Sequence, residues 1–214
     1  MSSRTEKIAP QYSKSQLTDD LEKYRQKAIE LGASKAKVVS VSEIAVEDAV
    51  SVKCRIPRCA GYGMCAHCPP HSPKPSEFRE YLQNYDSAVF FVRNVPTELL
   101  LRDRTDKERR AAFRSIYEIV SRIESTAFYD GHYLTFGLGA GSCRTIFCGP
   151  DKACQALDGE ACKFVLMARP SMEAVGINVY RMTAAAGWDV YPIGTDAKKD
   201  DAPHAILAGL VIIG

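Results

Sequence analysis

Apolar residues recur at helical spacing over residues 16–31, where Leu17, Leu21, Tyr24, Ala28 and Leu31 form one stripe of an amphipathic helix. Gly32 is placed to end that helix in the left-handed conformation. Residues 36–41 (Ala-Lys-Val-Val-Ser-Val) are rich in β-branched side chains and predict a strand. A helix is expected over 76–84, with Pro75 before it and Ser76 as its N-cap. The unbroken apolar run at 88–92 (Ala-Val-Phe-Phe-Val) reads as a strand covered on both faces. The clearest helix is 106–128, striped by Phe113, Ile116, Tyr117, Val120, Ile123 and Ala127. A short strand at 133–136, a helix at about 172–186 closed by Gly187, and strands at 188–193 and 205–213 complete the pattern.

Strands alternating with helices, several of them continuously apolar, predict an α/β fold. The expected form is three-layer, a mostly parallel sheet with helices on both faces and two cysteine-rich metal loops. Nothing marks a linker, so residues 1–214 are expected to form one domain. A weak repeat runs through it, with half-units at about 36–92 and 133–193. Each unit has a cysteine loop, a basic-Pro-Ser step (Lys74-Pro75-Ser76, Arg169-Pro170-Ser171), an acidic first turn (Glu77, Glu173), a helix and a strand. A carboxylate suits the positive end of a helix.

Charge narrows the function little. Twenty-eight basic and 26 acidic residues leave +2, with no basic block to suggest nucleic acid. Residues 102–110 alternate in sign and read as the solvated start of a helix, and 196–201 as a polar loop. The first seven residues lack the apolar region of a signal peptide, and no apolar run is long enough to span a bilayer. A cytoplasmic location without membrane association is therefore expected, and oligomeric state is left open.

The chemistry sits in the eight cysteines. Cys54, Cys59, Cys65 and Cys68 read C-x4-C-x5-C-x2-C; Cys143, Cys148, Cys154 and Cys162 read C-x4-C-x5-C-x7-C. The 74 positions between the groups hold none, and each group opens with Cys-Arg (Cys54-Arg55, Cys143-Arg144). Disulfide frameworks belong to secreted chains, mostly short ones, whereas 214 residues at 46% hydrophobic can bury an ordinary core. Four clustered thiolates are instead the ligand set of a zinc ion or an iron–sulfur cluster. Zinc sites favour paired C-x2-C knuckles, and only Cys65 and Cys68 have that form. The wider intervals suit a cubane, whose ligands reach four irons. The expected cofactors are two [4Fe-4S] clusters, each on its own quartet, with zinc as the alternative. Arg55, Arg58, Arg144 and Lys152 lie beside ligands and can offset thiolate charge.

Other residues are read more plainly. His67 and His71 flank Cys68 as supporting or surface groups, since four cysteines already suffice. Gly137-Leu138-Gly139-Ala140-Gly141 lacks the G-x-G-x-x-G spacing of a dinucleotide loop and runs directly into the second cysteine group. Met172 and Met182 are core residues. Glu173 and Arg169 are read first as a dipole-compensating carboxylate and a surface arginine.

The stretch from Cys54 to Tyr85, with Cys-x4-Cys-x2-Tyr-Gly and then Cys-Pro-Pro, resembles a family of microbial proteins described only as "predicted metal-binding protein". So does Gly141-Ser142-Cys143 through Arg169-Pro170-Ser171-Met172-Glu173-Ala174-Val175-Gly176-Ile177-Asn178-Val179. The resemblance implies metal binding through the cysteines in anaerobic bacteria and archaea, often beside corrinoid-dependent methyl-transfer systems. Asn178 stands where many relatives are expected to carry aspartate. The functional expectation is an electron relay to a partner redox or methyl-transfer enzyme. The alternatives are an enzyme with substrate at an open iron, and a zinc-binding structural protein. No catalytic residue is assigned.

Overall fold

The structure is a computed structural model and describes residues 8, 13–149, 152–194 and 196–214. Residues 1–7, read above for a signal peptide, lie outside them. Helix α1 (Lys14–Glu30) starts where the Ser13 side chain accepts from the Gln16 amide, and Gly32 follows its end at φ 103°. Strand β1 (Lys35–Ser40) leads through α2 (Asp48–Arg55) and a turn-rich cysteine loop to α3 (Pro75–Leu82). Strand β2 (Ser87–Val95), α4 (Thr97–Leu101) and the long α5 (Lys107–Tyr129) come next. Strand β3 (Phe136–Leu138), the second cysteine loop, α6 (Val179–Ala185) and β4 (Ala205–Ile213) complete the chain.

The mostly parallel, three-layer sheet expected from the sequence is overturned. The molecule has one four-stranded sheet in the order β1-β2-β4-β3, and every pairing is antiparallel. A continuous apolar run reports that both faces of a strand are covered, and says nothing about direction. Phe90 and Leu210 point to one side; Phe91 and Val211 point to the other. Direction is set by the connections. The excursion from β1 to β2 returns to the end it left, so Ser40 pairs with Ser87.

Helices α1 and α5 bury Tyr24, Ile116, Val120 and Ile123 against one face of the sheet. Phe78, Leu82, Met172, Val175 and Met182 pack on the other. Both methionines are core residues. The single helix expected at 172–186 is broken into a 3-10 turn, Glu173–Val175, and α6. Gly176 intervenes at φ 89°, and a Cβ there would lie 2.8 Å from Pro75. The strand expected at 188–193 does not form; Trp188 instead stacks on Phe90, with ring centroids 5.4 Å apart. The strand expected at 133–136 lies at 136–138, and α3 begins one residue earlier than expected, capped from Lys74 and not Ser76. Among the described residues, no helix is long and apolar enough to cross a membrane.

Candidate metal centre

Cys54 ends α2, and the chain then turns back on itself. The Cys59 amide bonds the Cys54 carbonyl at 2.9 Å, and the Cys68 amide bonds the Cys65 carbonyl at 3.1 Å. Ser72 ties the end of this loop to the Ala174 carbonyl at 3.2 Å. The second group follows β3. Gly137 and Gly139 let β3 press onto α5, since a Cβ would come within 2.3 Å of Val120 or 2.6 Å of Tyr117. This close approach, and not a nucleotide loop, is what those glycines serve. Cys143 then opens a π-helical turn, Arg144–Cys148, anchored by buried Ile146 and Phe147. The Phe147 ring packs edge-on to Tyr117 and stacks on Phe164, both at 5.2 Å.

The two groups meet in space. Cys65, Cys68 and Cys143 are buried in one apolar cluster with Tyr117, Ile146 and Phe147, and Cys154 and Cys162 pack against it. The sulfurs of Cys65 and Cys143 are 3.9 Å apart, and the Ser142 hydroxyl lies 3.7 Å from Cys65 and 3.5 Å from Cys68. His67 reaches across with Nδ1 at 3.4 Å from the Cys143 sulfur, while its backbone hydrogen-bonds Cys65 of its own group. All eight cysteines are free thiols. Among the described residues, no three cysteine, histidine or acidic side chains converge on a point that would hold a single ion.

The thiols perturb one another. Cys143, and then Cys68, hydrogen-bond onto Cys65 and ease its ionisation, and the same bonds together with burial push Cys143 and Cys68 upward. Burial raises Cys148, with the nearby Cys162 and Cys154 adding to it and Arg144 opposing. Burial also raises Cys54, with Cys59 and Glu173 as its charged neighbours. A bound cation would favour every thiolate at once, which couples metal affinity to pH.

Cys54, Cys59 and Cys68 line a cavity of about 290 Å³ between the first loop and the start of α5. Arg104, Arg109, Arg110 and Glu173 also line it. Arg104 is the arginine that approaches a sulfur, 3.9 Å from Cys59. Glu173 lines this cavity and the adjoining one and keeps an exposed surface, yet the surrounding protein desolvates its carboxyl and raises its pKa. Sequence reasoning missed these three arginines because the signs alternate over 102–110. In the structure Arg102 pairs with Asp106 and Glu108, while Arg104, Arg109 and Arg110 make no ion pair among the described residues, although Asp103 and Asp106 still act on Arg109 from nearby.

Arg169 is no surface arginine. Its Nε lies 3.0 and 2.9 Å from the two Glu124 carboxylate oxygens, and Glu124 also accepts the Gly137 amide at 2.8 Å. Asn178 caps α6 by accepting from the Arg181 amide at 3.0 Å and donates to Glu47 at 3.1 Å. An aspartate there would keep the cap but face Glu47 with a like charge.

A family model described as "Predicted metal-binding protein (DUF2284)" matches residues 37–213, which include both cysteine groups. No curated protein and no solved structure gives a match to the chain.

Proposed function

The chain belongs to this family of predicted metal-binding proteins, and from that premise we propose that it is an iron–sulfur protein with two [4Fe-4S] clusters that relays electrons to a partner enzyme. The observation that carries the reading is that Cys54, Cys59 and Cys68 all line one cavity. Cys54, Cys59 and Cys68 would hold one cluster, with Cys65 the remaining thiol of that group. Cys143, Cys148, Cys154 and Cys162 would hold the other. Such clusters supply one-electron steps.

The surrounding residues suit that use. Arg104 and Arg144 place positive charge beside Cys59 and Cys148, which favours the more negative, reduced state. Tyr117, Phe147 and Phe164 pack beside Cys143, Cys154 and Cys162 and make their surroundings less polar, which strengthens those charge effects. Val165 and Leu166, just beyond Cys162, are 64% and 80% exposed and offer an apolar face to a partner.

Zinc is the second reading, and one distance favours it. Zn–S bonds near 2.3 Å put tetrahedral sulfur–sulfur edges at about 3.8 Å, close to the 3.9 Å between Cys65 and Cys143. Iron and acid-labile sulfide analysis of protein purified without oxygen separates the two. About eight of each per chain are expected from two cubanes. Zinc without iron would overturn the cluster reading, and iron centres that dithionite cannot reduce would overturn the relay.

A further inference from the structure

We propose that the cavity beside Cys54, Cys59 and Cys68 is a binding site for an organic anion, a carboxylate or phosphate ester whose acidic head sits among Arg104, Arg109 and Arg110. Its placement beside a metal centre rests on the proposed function; the anion site itself rests on the arginines.

The charge balance of the walls comes first. Three guanidinium groups line the cavity against a single carboxylate, Glu173. None of the three makes an ion pair among the described residues. Each guanidinium has five N–H donors, and few are taken. Arg109 gives Nη1 to the Leu100 and Arg102 carbonyls and lies over the Phe113 ring, which fixes its plane. Arg110 gives one nitrogen to the Ile146 carbonyl at 3.1 Å, while its buried Nε has no partner. That nitrogen is closed off from the cavity, so a ligand meets the remaining guanidinium donors. Carboxylates and phosphates suit them, because two oxygens match the guanidinium fork.

A cluster on three thiolates would not exhaust that charge. A [4Fe-4S]2+ core with three thiolates carries one net negative charge and Glu173 at most one more, set against three lining arginines, of which Arg109 also feels Asp103 and Asp106.

The organic part follows from the adjoining cavity. It measures about 600 Å³ and shares Cys54, Cys59, Gly141 and Glu173 with the first. Beyond that wall it is lined by Val50, Leu100, Val179, Ile193, Leu207 and Ala208. Lys53 and Glu47 also line it, Glu47 being paired with Arg181 at 3.0 Å. An acid head among the arginines therefore directs its apolar body past Cys54 and Cys59 into this second space.

Isothermal titration calorimetry on the metal-loaded full chain at constant ionic strength tests the site. Hexanoate and hexyl phosphate are the probes, with acetate and inorganic phosphate as head-group controls. At least one hexyl probe should bind saturably at one per chain, at least tenfold tighter than its head group alone. Which of the two does so distinguishes a carboxylate from a phosphate ligand. Arg110→Gln should weaken that binding at least tenfold, and Arg104→Gln, at an exposed position that folding tolerates, should weaken it measurably. Arg122→Gln, on α5 outside the cavity wall, should leave it unchanged. The inference is overturned by the absence of saturable binding or by equal affinity for hexyl probes and bare head groups. Loss of binding in the Arg122 variant equal to that in the Arg104 variant overturns it as well. Metal analysis of the same samples keeps the readings apart: binding by protein with the wrong metal sinks the cluster proposal alone, and absent binding by iron-loaded protein sinks this one alone.

Discussion

Removing the Glu124 carboxylate should loosen the segment that carries the second cysteine group. Arg169 lies seven residues after Cys162, and its guanidinium is held by Glu124 on α5 and by the Val165 and Ala168 carbonyls at 2.9 and 2.8 Å. The side chains are 22% and 12% exposed, so solvent screens the pair only in part. A hydrogen bond to a charged group contributes about 1.5–3 kcal/mol. Glu124→Ala breaks the bond to Arg169 and also strands the buried Gly137 amide. Taking the lower value for each gives a loss of about 3 kcal/mol. For a chain of this size each kcal/mol moves Tm by about 2–4 °C, so a fall of about 6–12 °C is expected. Glu124→Gln keeps an oxygen for Gly137 and should lose about half as much. Thermal melts followed by circular dichroism on metal-loaded protein measure both, and a double-mutant cycle with Arg169→Met isolates the pair. Coupling of at least about 1 kcal/mol is expected. A Tm within 2 °C of wild type for Glu124→Ala, or a coupling below about 0.3 kcal/mol, would refute the reasoning.

Three further outcomes can be checked. Cys65→Ser should disturb the same spectral component of the metal-loaded protein as Cys143→Ser, because the two sulfurs touch; a spectrum matching that of Cys59→Ser instead would restore strict separation by sequence group. Gly139→Ala forces a Cβ to 2.6 Å from the fully buried Tyr117 ring and should cost about 1–3 kcal/mol in denaturant unfolding; an unchanged midpoint would show that the ring yields freely. Hydrogen bonds from Asn178, and then from Arg181, hold Glu47 below the usual carboxylate range. Such a carboxylate stabilises the fold above its ordinary pKa, and loses that effect as pH falls through the lowered value. Asn178→Ala should therefore raise the Glu47 pKa in an NMR titration and shrink the stability gap between the two proteins towards acid. An unmoved titration would dismiss the Asn178 bond.

What could be read from the chain and what could not divide along physical lines. Local periodicity marked α1, α5 and the core methionines, because burial of one stripe is a property of neighbouring residues. The helix α2, which delivers Cys54, carries no buried residue, so no stripe announced it. The break at Gly176 escaped notice because the contact that enforces it comes from Pro75, a hundred positions away.

The sequence by itself determined that this chain belongs to a family of predicted metal-binding proteins and carries its thiols in two tight groups. Thiols in two groups of fixed spacing are a chemical statement that needs no fold. Only the tertiary structure decided that the strands run antiparallel, since coverage of both faces is indifferent to direction. It alone brought Cys65 to Cys143 and turned Arg104, Arg109 and Arg110 from one alternating run into the wall of a cavity. Chain spacing limits which ligands can meet, but long-range packing selects which of them do, and a charge is spent or spare only once its neighbours in space are known.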